Sequence, residues 1–171
     1  MLERPRPAEY APYYAQYIDK IRAGDIREIL DAQHRETQAL LASLGETKGD
    51  YRYAPGKWSL KQVIGHLCDT ERVFAYRALV FARNDSSPLP SMEQDDYMVA
   101  ANFEGRTLRS VAEEFASIRA ATLSLFRSIE GDMWLRQGTA NNVQFTVRAM
   151  PYIIGGHELH HMGVVRERYL G

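Results

Sequence analysis

Cysteine is all but missing from this chain: Cys68 stands alone among 171 residues. No intramolecular disulfide framework can form, and a lone thiol fits a reducing compartment. Long apolar runs are missing too; no stretch approaches the roughly 20 residues that span a bilayer as a helix. The opening Met1-Leu2-Glu3-Arg4-Pro5-Arg6-Pro7 lacks the apolar segment of a secretory signal. These absences make a cytoplasmic protein without a membrane partner the default expectation. An excess of one charge sign is also lacking. With 21 Lys and Arg against 22 Asp and Glu the net charge is −1. No basic stripe offers itself to a phosphate backbone, so no nucleic-acid partner is expected. Internal repeats and low-complexity tracts are absent as well.

What remains is a globular composition, 45% hydrophobic and 25% charged. Residues 1–171 are accordingly read as one domain with a sizeable core. Residues 1–24 are expected to form an ordered arm rather than a helix. Pro5, Pro7 and Pro12 interrupt any regular element there, and Tyr10, Tyr13, Tyr14 and Tyr17 supply ring area to anchor the arm on the domain.

Helical spacing dominates the rest. Ile26, Ile29, Leu30, Leu40, Leu41 and Leu44 define a first helix between Gly24 and Gly45. His34 within it reads as a partly exposed or hydrogen-bonded helix residue rather than a ligand. Ser59 followed by Gln62 forms a capping box for a second helix that carries Val63, Ile64, Leu67, Val73, Phe74, Leu79 and Phe81 and ends near Asn84. Residues 84–106 make a long connection with a short helix around Tyr97 to Ala101. Thr107 caps a third helix running to about Ile129. Val143 to Val147 alternates like a strand, but a lone strand has no partner, so the segment is read as entry into a fourth helix from about Thr146 to Tyr169. Pro151 and Gly155-Gly156 are expected to kink that helix. Four long helices with a crossing connection predict an all-α, four-helix bundle.

Three of the five histidines fall in the run His157-Glu158-Leu159-His160-His161. His157 and His161 are one helical turn apart, about 6 Å along the axis, so both imidazoles leave one face and can converge on one ion. As H-E-x-x-H the run resembles a zinc-protease helix, with Glu158 as base. A protease of that kind needs a third ligand downstream, and Glu167, six positions on, is the sole carboxylate there. The third ligand is therefore sought upstream. His66 is the best candidate, on an apolar helix face with Val63 and Val73; the competing reading is a hydrogen-bonded core histidine. His160 points about 100° away from His161 and stays outside the ligand set.

The segment Trp58-Ser59-Leu60-Lys61-Gln62-Val63-Ile64-Gly65-His66-Leu67-Cys68-Asp69-Thr70-Glu71-Arg72 resembles the W-s-x-x-x-x-x-x-H-L-x-D-x-E element of the DinB-like family. Gly156-His157-Glu158-Leu159-His160-His161 resembles that family's closing G-H-x-x-H-H element, and the resemblance extends over residues 25–169. It implies an up-down-down-up bundle that holds a divalent metal through His66, His157 and His161. It also points to the branch of metal-dependent hydrolases related to bacterial thiol S-transferases.

Three neutral imidazoles leave a position on the ion open to water or substrate, which is the mark of a catalytic rather than a structural site. The ion could activate water for hydrolysis or bind a low-molecular-weight thiol as thiolate. Zinc suits sulfur best; nickel, manganese or iron would be tolerated with further oxygen ligands. Asp69, one turn after His66, is a candidate to orient an imidazole, and Glu71 a weaker one. For both, as for Glu158, the competing reading is a solvent-facing helix carboxylate. Arg119, in an otherwise apolar helix, either grips an anionic substrate or pairs with Glu113 or Glu114 at the surface. Cys68 reads as a buried, inert thiol. The expected function is a metal-dependent enzyme, hydrolase or thiol transferase, acting on a small molecule. A non-catalytic, metal-stabilised binding or stress-response module is the alternative, and a homodimer is compatible with either.

Overall fold

Polar caps set where the long helices begin. In the computed structural model, which describes residues 2–171, seven helices and one hairpin follow in the order α1 (Ala15–Ile18), α2 (Ile26–Ala42), α3 (Glu46–Gly49), α4 (Leu60–Ala82), α5 (Gln94–Ala100), α6 (Leu108–Arg127), β1 (Gln137–Ala140), β2 (Val143–Thr146) and α7 (Ala149–Val164). The Asp25 carboxylate accepts from the Arg27 amide at the start of α2 (2.9 Å). Thr107 accepts from the Ser110 amide ahead of α6 (3.0 Å). Ser59 and Gln62 form the reciprocal capping box of α4, the Gln62 side chain accepting from the Ser59 amide at 2.9 Å and the Ser59 hydroxyl from the Gln62 amide at 3.3 Å. Each cap satisfies amides that a helix end leaves without acceptors. After Val164 the chain continues as a wider π-helical turn, Val165–Leu170.

Contacts between the four long helices establish their directions. Gln33 meets Gly155 and Thr37 meets Glu158, so α2 and α7 run parallel. Leu30 meets Arg119 and Gln38 meets Ala112, so α2 and α6 run antiparallel. Lys61 sits by Arg106 and Glu71 by Arg119, so α4 and α6 run parallel. The order is up-down-down-up. α4 and α2 each pack against both α6 and α7, which puts α2 diagonally across from α4 and α6 diagonally across from α7.

The core lies in two apolar clusters. One gathers Ile18, Leu30, Phe81, Phe126 and Met150; the other gathers Ile64, Leu67, Phe115, Val165 and Tyr169. Between them every long helix turns polar inward at the same level: Gln33 and Thr37 on α2, His66, Thr70 and Glu71 on α4, Arg119 and Thr122 on α6, His157 and Glu158 on α7, all buried. A polar belt thus crosses the middle of the bundle.

Residues 143–146 form a strand, contrary to the helix entry expected there. Its partner is β1, paired antiparallel with Gln137 opposite Thr146 and Ala140 opposite Val143. Asn141 and Asn142 both adopt left-handed backbone, φ 50° and 59°, the geometry of a two-residue type I′ turn. Two adjacent asparagines were the signal for the hairpin. Leu89 of the long connection also bonds to the hairpin, its amide donating to the Thr139 carbonyl at 2.9 Å.

Pro151 and Gly156 of α7 have roles other than the expected kink. Pro151 is the third helical residue, where its missing N–H falls among the amides that have no intrahelical acceptor anyway. Gly156 is a point of close approach: a Cβ there would lie 2.0 Å from the Tyr17 carbonyl oxygen. The arm crosses α7 at that point. Two 3-10 turns, Pro7–Glu9 and Pro12–Tyr14, lead into the single helical turn of α1. Arg148 and Thr146 both donate to Glu9, the latter at 2.8 Å, and Tyr152 donates to the Leu2 carbonyl at 3.2 Å. Among the described residues no helix is long and apolar enough to cross a membrane.

Candidate metal centre

His66 lies in the second turn of α4, and His157 and His161 lie one turn apart on α7. The antiparallel packing of these helices brings three Nε2 atoms together in the polar belt. His157 Nε2 stands 3.1 Å from His66 Nε2 and 3.0 Å from His161 Nε2. Hydrogen bonding alone does not satisfy this arrangement. An imidazole Nε2 donates one bond or accepts one, yet His157 Nε2 faces two others. A cation at the centre satisfies all three lone pairs. Nitrogens sharing one ion at about 2.0–2.1 Å lie about 3 to 3.4 Å apart, so the spacing fits the group. Burial lowers the pKa of His66 to about 4 and of His161 to about 3, and holds His157 well below its ordinary value. All three are therefore neutral near pH 7, the form that coordinates.

Neighbouring side chains hold the rings. The Thr70 hydroxyl is 3.5 Å from His66 Nδ1, and the Trp58 ring lies over His66 with centroids 5.0 Å apart. Tyr17 of the arm presents an edge-on ring to both His157 (5.3 Å) and His160 (5.5 Å). His160 is turned towards the arm and is absent from the converging group. His34 is half-buried beside Phe115, away from the cluster. Cys68 is fully buried, and burial pushes its thiol pKa up.

The carboxylates are arranged otherwise than expected. Asp69 faces Arg72 at 3.6 Å on the outside of α4; the hydroxyl of the next residue, Thr70, is the group placed against an imidazole. Glu71 and Glu158 are buried rather than solvent-facing, and Arg119 is fully buried between them. Arg119 donates to both oxygens of Glu71 at 2.8 Å and to the Leu30 carbonyl at 3.1 Å, and its Nη1 is 2.9 Å from Glu158 Oε2. Thr37 donates to the other Glu158 oxygen at 2.6 Å. Burial alone would lower the Arg119 pKa, but Glu71 and Glu158 hold it above its ordinary value. Neither expected role of Arg119, substrate grip or surface pairing with Glu113 or Glu114, matches this position. A single arginine at an inward position between Phe115, Ile118 and Thr122 was the available signal, since an unpaired guanidinium would not be buried there.

Two carboxylates against one guanidinium carry a formal charge of −1, placed directly beside His157 in sequence. That sign complements a cation held by three neutral imidazoles.

A cavity of about 530 Å³ opens beside the histidines. His66 and His157 form part of its wall, with Thr70, Phe74 and Arg77 continuing the same face of α4 and Tyr13, Tyr14 and Tyr17 of the arm opposite. Glu93, Asp95 and Asp96, ahead of and within the first turn of α5, are exposed along its border. The arm thus completes one wall of the site, a role that its sequence did not reveal.

The family model of the DinB superfamily matches residues 29–165. No curated protein matches the chain. Among solved structures the fold resembles YfiT from Bacillus subtilis, described as a probable metal-dependent hydrolase with an unusual four-helix bundle topology. The TM-score is 0.74 at 14% identity, over 96% of this chain and 90% of that one. It also resembles the mycothiol-dependent maleylpyruvate isomerase, with a TM-score of 0.68 at 9% identity; the match takes in 85% of this chain and 61% of that protein.

Proposed function

Since the chain belongs to the DinB superfamily, we propose that it is a metal-dependent enzyme whose divalent ion is held by His66, His157 and His161. Convergence of three Nε2 atoms beside a cavity of about 530 Å³, two of them on residues that line it, carries the proposal. A purely structural ion would be enclosed by a fourth protein ligand, whereas this cluster borders space for a small molecule. Bound there, the ion supplies Lewis acidity that brings the pKa of water or of a thiol towards neutrality. Zinc fits three imidazoles with an open side, and nickel, manganese and iron are compatible.

The chain's own groups do the rest. Each histidine presents Nε2. Thr70 steadies the His66 ring, and Tyr17 covers the edge of His157. The aromatic wall formed by Tyr14, Tyr17 and Phe74 excludes water from one side of the ligand. The reaction is hydrolysis, the activity described as probable for YfiT, or transfer of a low-molecular-weight thiol, in keeping with the thiol dependence of the isomerase. A lone buried cysteine accords with a cytoplasmic setting for either.

The test is metal analysis of protein purified without chelator or histidine tag, followed by turnover of esters, amides and electrophiles with and without bacterial thiols. Turnover that needs no thiol identifies a hydrolase, and thiol-dependent turnover that leaves the thiol's sulfur bonded in the product identifies a transferase. Wild-type protein that takes up no divalent metal overturns the proposal.

A further inference from the structure

Among the described residues four cationic side chains are buried: Lys61, Arg77, Arg119 and Arg148. Lys61 pairs with Asp50, Arg119 with Glu71 and Glu158, and Arg148 with Glu9 and Glu3. Arg77 is the exception. It is 4% exposed, and no carboxylate pairs with it among the described residues. Its Nη2 donates to the Pro90 carbonyl at 2.8 Å and the Tyr14 hydroxyl is a second, neutral partner, which leaves most of its five N–H donors unused. Buried charges are normally paired, because leaving water costs more than an isolated ion recovers. Burial pushes the Arg77 pKa down, against the influence of Tyr14, so the cost is felt at this position.

Arg77 also lines the cavity that reaches the histidines. His66, Thr70, Phe74 and Arg77 succeed one another along one face of α4. Eleven residues separate the first from the last, about 16 Å along the axis. The guanidinium packs over the Phe74 ring, 5.0 Å from its centroid, which fixes the side chain against the wall. Glu93, Asp95 and Asp96, the acidic groups of the same cavity, are exposed at its border. They disfavour an anion at the mouth and leave Arg77 as the cationic protein group inside.

We propose that Arg77 anchors a carboxylate of the cavity's ligand, which is an elongated small molecule with that anionic group at one end and its reacting group at the three histidines. The placement of the reacting end rests on the metal-site reading above; the placement of the anion rests on Arg77 alone. Val73, Phe74, Tyr14 and Ile153 line the space between and suit an apolar body.

Matched acid and alcohol probes test the two ends separately. Calorimetric titration of metal-free protein with hexanoate and with hexanol isolates Arg77 from any ion. Hexanoate is expected to bind about tenfold or more tightly than hexanol. Arg77→Gln abolishes that preference and Arg77→Lys keeps part of it. Equal binding of acid and alcohol to the wild type overturns the proposal, as does a preference that survives in Arg77→Gln. Should the variants fail to fold, the wild-type comparison still decides, and the Arg77 Nε–H resonance gives a residue-specific readout that hexanoate must shift and hexanol must not. Zinc-loaded protein is then titrated with 6-mercaptohexanoate and 6-mercaptohexanol. If neither thiol binds the loaded form more tightly than the metal-free form, the metal reading fails while the Arg77 result stands.

Discussion

His66 Nε2 and His157 Nε2 lie 3.1 Å apart although 91 residues separate them in the chain. Two antiparallel helices meet at that point, α4 and α7, each placed by different forces. The capping box at Ser59 starts α4, so His66 falls on its second turn. Gly156 lets the arm close over α7 directly before His157. The site therefore depends on helix starts and close packing more than on any loop.

Single His66→Ala, His157→Ala and His161→Ala variants should each lose most bound divalent metal, read by elemental analysis of the purified proteins. Metal should raise the wild-type melting temperature and leave the three variants unmoved. At a thousandfold excess over Kd the stabilisation of the wild type is about 4 kcal/mol. Full metal content in His66→Ala would refute the three-histidine site.

Acid should destabilise the metal-free protein. The three histidines have folded pKa values below the unfolded value of about 6.5, with His66 at about 4 and His161 at about 3. Below pH 6.5 the unfolded chain takes up protons that the folded chain refuses, so stability falls as pH drops. The loss should begin near pH 6.5 and flatten as the folded values are passed. Urea titrations from pH 7.5 to pH 4 measure it, and His66→Gln should lower the slope. A flat profile would contradict the burial of neutral imidazoles.

Arg119→Met should be among the most damaging substitutions in the chain. It leaves Glu71 and Glu158 buried without their counter-ion, at a cost of about 3–5 kcal/mol. Glu158→Gln keeps the shape and removes the excess negative charge. It should be tolerated far better in metal-free protein while weakening metal binding about tenfold, because a negative charge close to the ion is lost. Chemical denaturation and competition with a chromogenic chelator separate the two effects. Unchanged metal affinity in Glu158→Gln would reduce the Glu71–Arg119–Glu158 group to a purely structural role.

Gly156→Ala should dislodge the arm. The new methyl group would meet the Tyr17 carbonyl at a distance no packing tolerates, costing about 1–3 kcal/mol. Limited proteolysis should cut the variant near residues 10–25 and leave the wild type intact there. Because Tyr13, Tyr14 and Tyr17 wall the cavity, ligand affinity should drop with the arm's release.

Much of the fold was legible in local signals. Ser59 with Gln62 and Thr107 mark helix starts by side-chain chemistry that acts over three residues, and both caps form. Apolar spacing placed the inward faces of α2, α4 and α6. The alternation of Val143 to Val147 was visible, but the hairpin was missed because its partner strand, Gln137–Ala140, is four residues with a glycine and no strong alternation, and because the Asn141-Asn142 turn was not weighed. For Glu71 and Glu158 the reading that competed with a role at the site was a solvent-facing carboxylate, because carboxylates usually are exposed; neither reading anticipated a buried ion pair. Their burial depends on Arg119, 48 residues from Glu71, and no local pattern announces a partner that distant.

The sequence by itself determined the helices, their inward faces and the pairing of His157 with His161, since each follows from interactions within a turn or two of the chain. Only the tertiary structure decided which residues those faces meet. It joined His66 to the pair, sealed Arg119 between two carboxylates, brought the arm's tyrosines over the cavity and left Arg77 buried without a counter-ion. Those outcomes depend on how four helices stack and cross, where one buried charge must find another or be left to a ligand.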